Sequence, residues 1–189
     1  RDRSPSRGLG DVYKRQGIVV RDADGIYRTL TGNQTGALLV EYILSSKKAK
    51  GTLPENGVVI KTIVTTELAA AIAHSYGIEI MNVLTGFKYI GEKMTEFAKT
   101  GDHTYLIGFE ESYGYLVGTH ARDKDGVVAT MLIAEMAAYY KTKGKSLYEA
   151  LMDIYNKYGY YSEKTVSFVM PGKDGMEKMS PVSYTHLRA

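Results

Sequence analysis

The stretch GVVIKTIVT, residues 57–65, decides the fold. It is β-branched and almost continuously apolar, as a strand covered on both faces must be; a strand with one wet face would alternate. Immediately after it, Thr66–Tyr76 is alanine-rich and closes at Gly77, which reads as a helix, with Thr65 or Thr66 as its cap and Glu67 near its positive end. Ile78–Leu84 reads as a second strand, Phe87–Lys99 as a helix before Gly101, and Thr104–Phe109 (TYLIGF) as a third strand. Gly126–Tyr140 is a strongly apolar helix, and the capping box at Ser146-Leu147-Tyr148-Glu149 opens another that ends at Gly159. Working backwards, TGNQTGALLVEYILSSKK sets Ala37, Leu38, Val40, Ile43 and Leu44 on a helical stripe that stops near Gly51. Gly17–Arg21 and Ile26–Thr29 flank an Asp-Gly turn and predict a hairpin.

Strands alternating with helices of this length predict an α/β domain of three layers, a largely parallel sheet between helices. Residues 31–160 account for it, with neither a repeat nor a linker inside them. Tyr160–Met170 reads as a strand leaving the domain, and Pro171–Gly175 as a turn, so 161–179 reads as a linker towards a further part. Residues 1–16 and 180–189 show no apolar periodicity and resemble translated sequencing-adapter tails. The expectation is that both lie outside the fold and that 17–179 is a piece of a longer protein.

Composition narrows the function. The 189 residues are 44% hydrophobic and 24% charged, those of a globular chain, and they contain no cysteine. Thiolate metal sites, Cys nucleophiles and disulfides are therefore excluded, and a reducing cytoplasmic location is the expectation. The formal charge of +3 resides in the ends: Arg1, Arg3, Arg7, Lys14 and Arg15 outweigh Asp2 and Asp11, and Arg188 adds one more, leaving 17–179 nearly neutral. Nucleic-acid and membrane binding lose their electrostatic basis, and no run of about 18 apolar residues spans a bilayer. Neither His74 nor His103 has companions at metal-ligand spacing, and the Asp22/Asp24 turn lacks the donor series of a calcium loop. Phosphate-loop and nucleophile-elbow signatures are also missing.

In parallel sheets ligands bind beyond the carboxyl ends of strands. Thr85-Gly86-Phe87-Lys88 is a turn into a helix N-terminus, where N–H groups and a lysine can hold an anion. The most informative segment is GFEESYGYLVGTHARDKDG, residues 108–126, which packs carboxylates, hydroxyls, glycines, a histidine and cations between a strand and a helix. Glu110 and Glu111 are adjacent, so their side chains point to opposite faces and cannot act as a pair. One carboxylate with Ser112 suits neighbouring sugar hydroxyls, and His120, Arg122 and Lys124 suit a phosphate on the same ligand. The competing reading is a solvated loop whose Arg122, Asp123, Lys124 and Asp125 pair with one another.

Three motifs, TGNQTGALL at 31–39, TGFKYIGEKM at 85–94 and GFEESYGYLVGTHARDKDG at 108–126, resemble the third domain of the α-D-phosphohexomutase superfamily, most closely its bacterial phosphoglucomutase/phosphomannomutase members. The resemblance implies a mixed, largely parallel sheet and a four-domain enzyme. Such an enzyme interconverts hexose 1- and 6-phosphates through a phosphoserine and a bisphosphate intermediate, with Mg2+ and glucose 1,6-bisphosphate as cofactors. It further implies that residues 17–30 end a metal-binding second domain and that 161–179 lead to a phosphate-binding fourth. The implied ligand contacts are Thr85, Gly86, Glu110, Ser112, His120 and Lys124, with phosphorylated hexose as the partner. The phosphoserine loop, the Asp-x-Asp-x-Asp-Arg metal loop and the Arg-x-Ser-Gly-Thr phosphate loop of that family do not occur here, so neither a catalytic residue nor a metal ligand is assigned. Phosphopentomutase, glucose-1,6-bisphosphate synthase and a stand-alone sugar-phosphate-binding module are the alternatives.

Overall fold

A computed structural model describes residues 14–164. Strands β1 (Ile18–Arg21) and β2 (Tyr27–Leu30) form the antiparallel hairpin expected of the Asp-Gly turn. Asp22 organises that turn: its carboxylate accepts the Asp24 and Ile26 N–H groups and the Arg28 guanidinium. Helix α1 (Gly32–Ala49) follows, opened by a reciprocal capping box between Thr31 and Gln34.

The central sheet has the order β4-β3-β5-β6, built from β3 (Gly57–Thr62), β4 (Glu79–Val83), β5 (Thr104–Glu110) and β6 (Gly114–Val117). β3 runs parallel to both β4 and β5, whereas β6 folds back antiparallel on β5. The sheet is therefore mixed and mostly parallel, as expected of the α/β class. Helices α2 (Leu68–Ser75), α3 (Phe87–Thr100), α4 (Gly126–Thr142) and α5 (Leu147–Tyr158) complete the layers. Among the described residues α3 is the helix that covers one face, burying Phe87, Ile90, Met94 and Phe97 against Val58, Ile60 and Leu116. α1, α2, α4 and α5 share the larger core on the other face with Val59, Ile107, Phe109 and Tyr115.

Several boundaries differ from the sequence reading. β3 stops at Thr62, not Thr65, because the chain turns there: the Thr65 N–H donates to the Thr62 carbonyl, and Ile63 and Val64 end up exposed despite their apolar character. α2 starts at Leu68; Thr66 accepts the Leu68 N–H, while Glu67 occupies the cap position without capping and turns its carboxylate to Lys61. β6 was hidden inside the polar loop, since GYLV is too short and too glycine-rich to register as a strand by itself. Residues 160–164 are not in a strand, and the remainder of the Tyr160–Met170 strand lies outside the described residues, as do 1–13 and the 165–189 segment.

Glycines decide where layers can close. At Gly36 on α1 a Cβ would lie 2.1 Å from the Phe109 ring, so α1 reaches the sheet only because that atom is missing. At Gly32 a Cβ would lie 1.9 Å from the Glu111 carbonyl oxygen, which presses the start of α1 against the segment after β5.

Candidate functional site

Parallel pairing of β3, β4 and β5 brings their carboxyl ends to one edge of the sheet. Three connections converge there: Ile63–Glu67 after β3, Leu84–Gly86 after β4 and Glu111–Tyr113 after β5. Glu110, the last residue of β5, is only 4% exposed although it is charged. Its Oε1 accepts the Gly86 N–H at 3.1 Å, and its Oε2 lies 3.5 Å from Lys124 Nζ. A carboxylate at the N-terminal end of α3 is favoured by the helix dipole, and the lysine compensates its burial. Lys124 is itself mostly buried, with its ammonium 5.4 Å from the centre of the Phe87 ring. Gly114 makes the close approach possible: a Cβ there would meet Lys124 Cδ at 2.8 Å and Glu110 Oε2 at 3.1 Å.

Three of the expected contact residues, Gly86, Glu110 and Lys124, are thus joined directly. Ser112 stands two residues beyond Glu110, half-buried and with no hydrogen bond to another described residue. It is followed by Tyr113, whose φ of 65° is left-handed, a conformation costing a non-glycine residue about 1 kcal/mol or more. Residues 15 and 16, expected to lie outside the fold, pair with that turn: the Gln16 N–H donates to the Tyr113 carbonyl and Arg15 bridges Gly114. Thr85 is exposed beside Gly86.

His120 is placed differently. Its Nε2 is 3.0 Å from Asp125 Oδ2, while Asp125 Oδ1 accepts the Val127 and Val128 N–H groups and caps α4. The His120 hydrogen bond, with those two N–H groups, holds the Asp125 carboxyl below the ordinary aspartate range against the opposing effect of burial. His120 thus sits at the N-terminus of α4, apart from the Glu110–Lys124 pair. Arg122 donates to the Thr119 and Ala121 carbonyls and to Thr95, fastening its own loop to α3. The competing loop reading holds in part: Lys124 also approaches Asp123 at 3.5 Å, although Asp123 has a second partner in Lys14. At the Thr85–Lys88 turn the anion held by the Gly86 N–H is the protein's own Glu110, and Lys88 lies over the Tyr89 ring.

Sequence reasoning missed the groups behind this edge. Lys61 is fully buried and donates to the Thr65 carbonyl and to Glu67. The Thr62 and Thr65 hydroxyls are 2.6 Å apart, and each lies 3.4 Å from Glu111 Oε2. The available signal was Lys61 itself, a charge within an otherwise apolar strand. Among the described residues no three His, Asp or Glu side chains gather as a metal site. The Mg2+ implied by the resemblance therefore does not fit the described residues.

Fold and edge together define an α/β/α domain that converges a buried, lysine-paired glutamate and a helix N-terminus on the carboxyl end of its sheet. The chain belongs to the phosphoglucomutase/phosphomannomutase family, matching its alpha/beta/alpha domain III over residues 31–158. It is 35% identical over 166 residues to a phosphoglucomutase of Staphylococcus haemolyticus, covering 88% of this chain and 29% of that protein. A glucose 1,6-bisphosphate synthase of Pongo abelii is 35% identical over 149 residues, 77% of this chain and 24% of that protein. The crystal structure of a putative phosphomannomutase from Thermus thermophilus shares the fold, with a TM-score of 0.57, 24% identity, and coverage of 81% of this chain and 33% of that one. The chain thus spans about a quarter to a third of the length of these relatives. No helix among the described residues is long and apolar enough to cross a membrane.

Proposed function

We propose that residues 31–160 are the sugar-recognising domain of a cytoplasmic phosphohexomutase interconverting hexose 1- and 6-phosphates. In this reading 17–30 belong to the domain before it and 161–179 lead to the one after it. The observation that carries the reading is the Gly86–Glu110–Lys124 arrangement with Ser112 beside it. An ionised carboxylate has about four acceptor positions. Gly86 and Lys124 occupy two, and the others can accept from adjacent sugar hydroxyls. Ser112 adds a donor or acceptor, Thr85 and Gly86 line the turn, and Lys124 supplies positive charge towards a phosphorylated ring. His120 bears on the ligand through the loop and the α4 terminus it braces.

Such a domain holds and orients; it does not transfer the phosphoryl group. Transfer depends on positioning and on neutralising charge as the group moves. The nucleophile, the magnesium and the phosphate clamp that would accomplish it belong to the rest of the enzyme. Similarity to a glucose 1,6-bisphosphate synthase supports a second reading, in which the same edge serves an enzyme that forms the bisphosphate.

The test is titration of the purified chain with glucose 1-phosphate, followed by amide NMR and by a coupled assay for glucose 6-phosphate. Shifts centred on Gly86, Ser112 and Lys124, without turnover, are expected, and Glu110→Ala should abolish them. Turnover by the chain, or shifts that survive Glu110→Ala, would refute the assignment.

A further inference from the structure

Glu111 is the adjacent carboxylate that the ligand-facing side does not use, and its surroundings show why the chain places one there. Glu110, the last residue of β5, turns towards α3, and Glu111, the first residue beyond the strand, turns towards the connection after β3. There its Oε2 lies 3.4 Å from both the Thr62 and the Thr65 hydroxyl, at the long end of hydrogen bonding. Each hydroxyl has a single proton. With the two oxygens only 2.6 Å apart, one hydroxyl donates to the other, and the second proton is left for the carboxylate.

The anchor is itself rigid. Thr62 and Thr65 are buried, the Thr65 N–H closes a turn onto the Thr62 carbonyl, and the fully buried Lys61 ammonium holds the Thr65 carbonyl at 3.0 Å. Ile63 N–H pairs with the Val83 carbonyl, and Asn33 accepts the Thr66 N–H, so β4 and α1 brace the same turn. From the other side the Glu111 carbonyl rests on the Cα of Gly32, where any side chain would collide. The residues on either side of this clamp are Glu110 and Ser112.

We infer that Glu111, anchored by Thr62 and Thr65, is a positioning residue: it fixes the end of β5 so that Glu110 stays on the Gly86 N–H and Ser112 faces the ligand. The inference deepens the sugar-binding reading and rests on it for the ligand, but its first readout needs no ligand. Because Gly86 N–H donates to Glu110 Oε1, the Gly86 amide resonance and its hydrogen-exchange rate report where Glu110 is.

The experiment uses the 189-residue chain in four forms: unaltered, Glu111→Ala, Glu111→Gln, and Thr62→Val with Thr65→Val. Glu111→Ala should move the Gly86 amide and speed its exchange, and should weaken glucose 1-phosphate roughly tenfold, a loss typical of one hydrogen-bond anchor. Glu111→Gln keeps an acceptor oxygen for the threonines and should restore both readouts to within about twofold of the unaltered chain. The double threonine variant keeps the side-chain shape and should reproduce Glu111→Ala, which covers the case where the alanine variant fails to fold. An unchanged Gly86 amide in folded Glu111→Ala or in the threonine variant would overturn the inference. A Gly86 amide that responds in a chain that does not bind glucose 1-phosphate would leave the positioning of Glu110 standing and overturn the sugar reading instead.

Discussion

Replacing Gly91 with alanine sets two physical effects against each other. Gly91 lies inside α3, where exchanging glycine for alanine ordinarily stabilises a helix by about 1 kcal/mol. Here a Cβ would lie 2.4 Å from the Arg122 carbonyl oxygen, against an ordinary contact of 3.4 Å or more. The backbone at Arg122 or the helix must therefore retreat by about 1 Å, and overpacking of that kind costs about 1–3 kcal/mol, more where main chain must move. Because Arg122 is fastened to Thr95 on the same helix and to the carbonyls of its own loop, the clash cannot be relieved by one side chain swinging away. We expect a net loss of about 1–2 kcal/mol, which for a domain of this size lowers Tm by about 3–8 °C. Displacement of the Arg122 backbone also carries Lys124, two residues on, away from Glu110, so the Gly86 amide should shift too. Thermal unfolding followed by circular dichroism, with amide NMR of the folded variant, reads both effects. A rise in Tm would mean that helix propensity prevails and that α3 does not press on the loop.

Two further expectations concern helix starts. Thr31→Ala removes half of the capping box that opens α1 and should lower stability by about 1 kcal/mol in urea unfolding; Thr31→Ser should lose little. The Asp125 carboxyl, held low chiefly by its His120 hydrogen bond, contributes stability that is fully present above its unfolded value of about 4 and is lost as pH falls through its lower folded value. Between pH 6 and pH 3 the Tm of the unaltered chain should therefore approach that of Asp125→Asn, which keeps the cap oxygen without the charge; a constant gap would contradict the shift.

The sequence made the element order legible because each signal was local. The Ser146 capping box, the Asp-Gly hairpin and the glycines closing helices at Gly77 and Gly101 are decided within a few residues, and the structure places each where it was expected. The end of β3 departs from the sequence reading for a related reason. Ile63 and Val64 have strand-like composition, but whether an apolar residue is covered depends on what lies above it, and at the edge of this sheet the described residues leave both about half exposed. β6 escaped because a four-residue strand is stabilised by its partner β5 and not by its own preference.

For the site, chain order alone supplied the polar loop and the rule that adjacent Glu110 and Glu111 face apart, since alternation is a property of the strand itself. Only the tertiary structure decided which way each faces. Gly86 and Glu110 are brought together by parallel pairing of β4, β3 and β5, and Lys124 joins them because β6 folds back antiparallel on β5 and Gly114 carries no side chain. His120 is drawn to Asp125 by the cap of α4, and Glu111 to two threonines contributed by another strand's turn. These partners are decided by which strand neighbours which, by the depth of each group and by which glycines let backbones touch, and none of these is a local property of the chain.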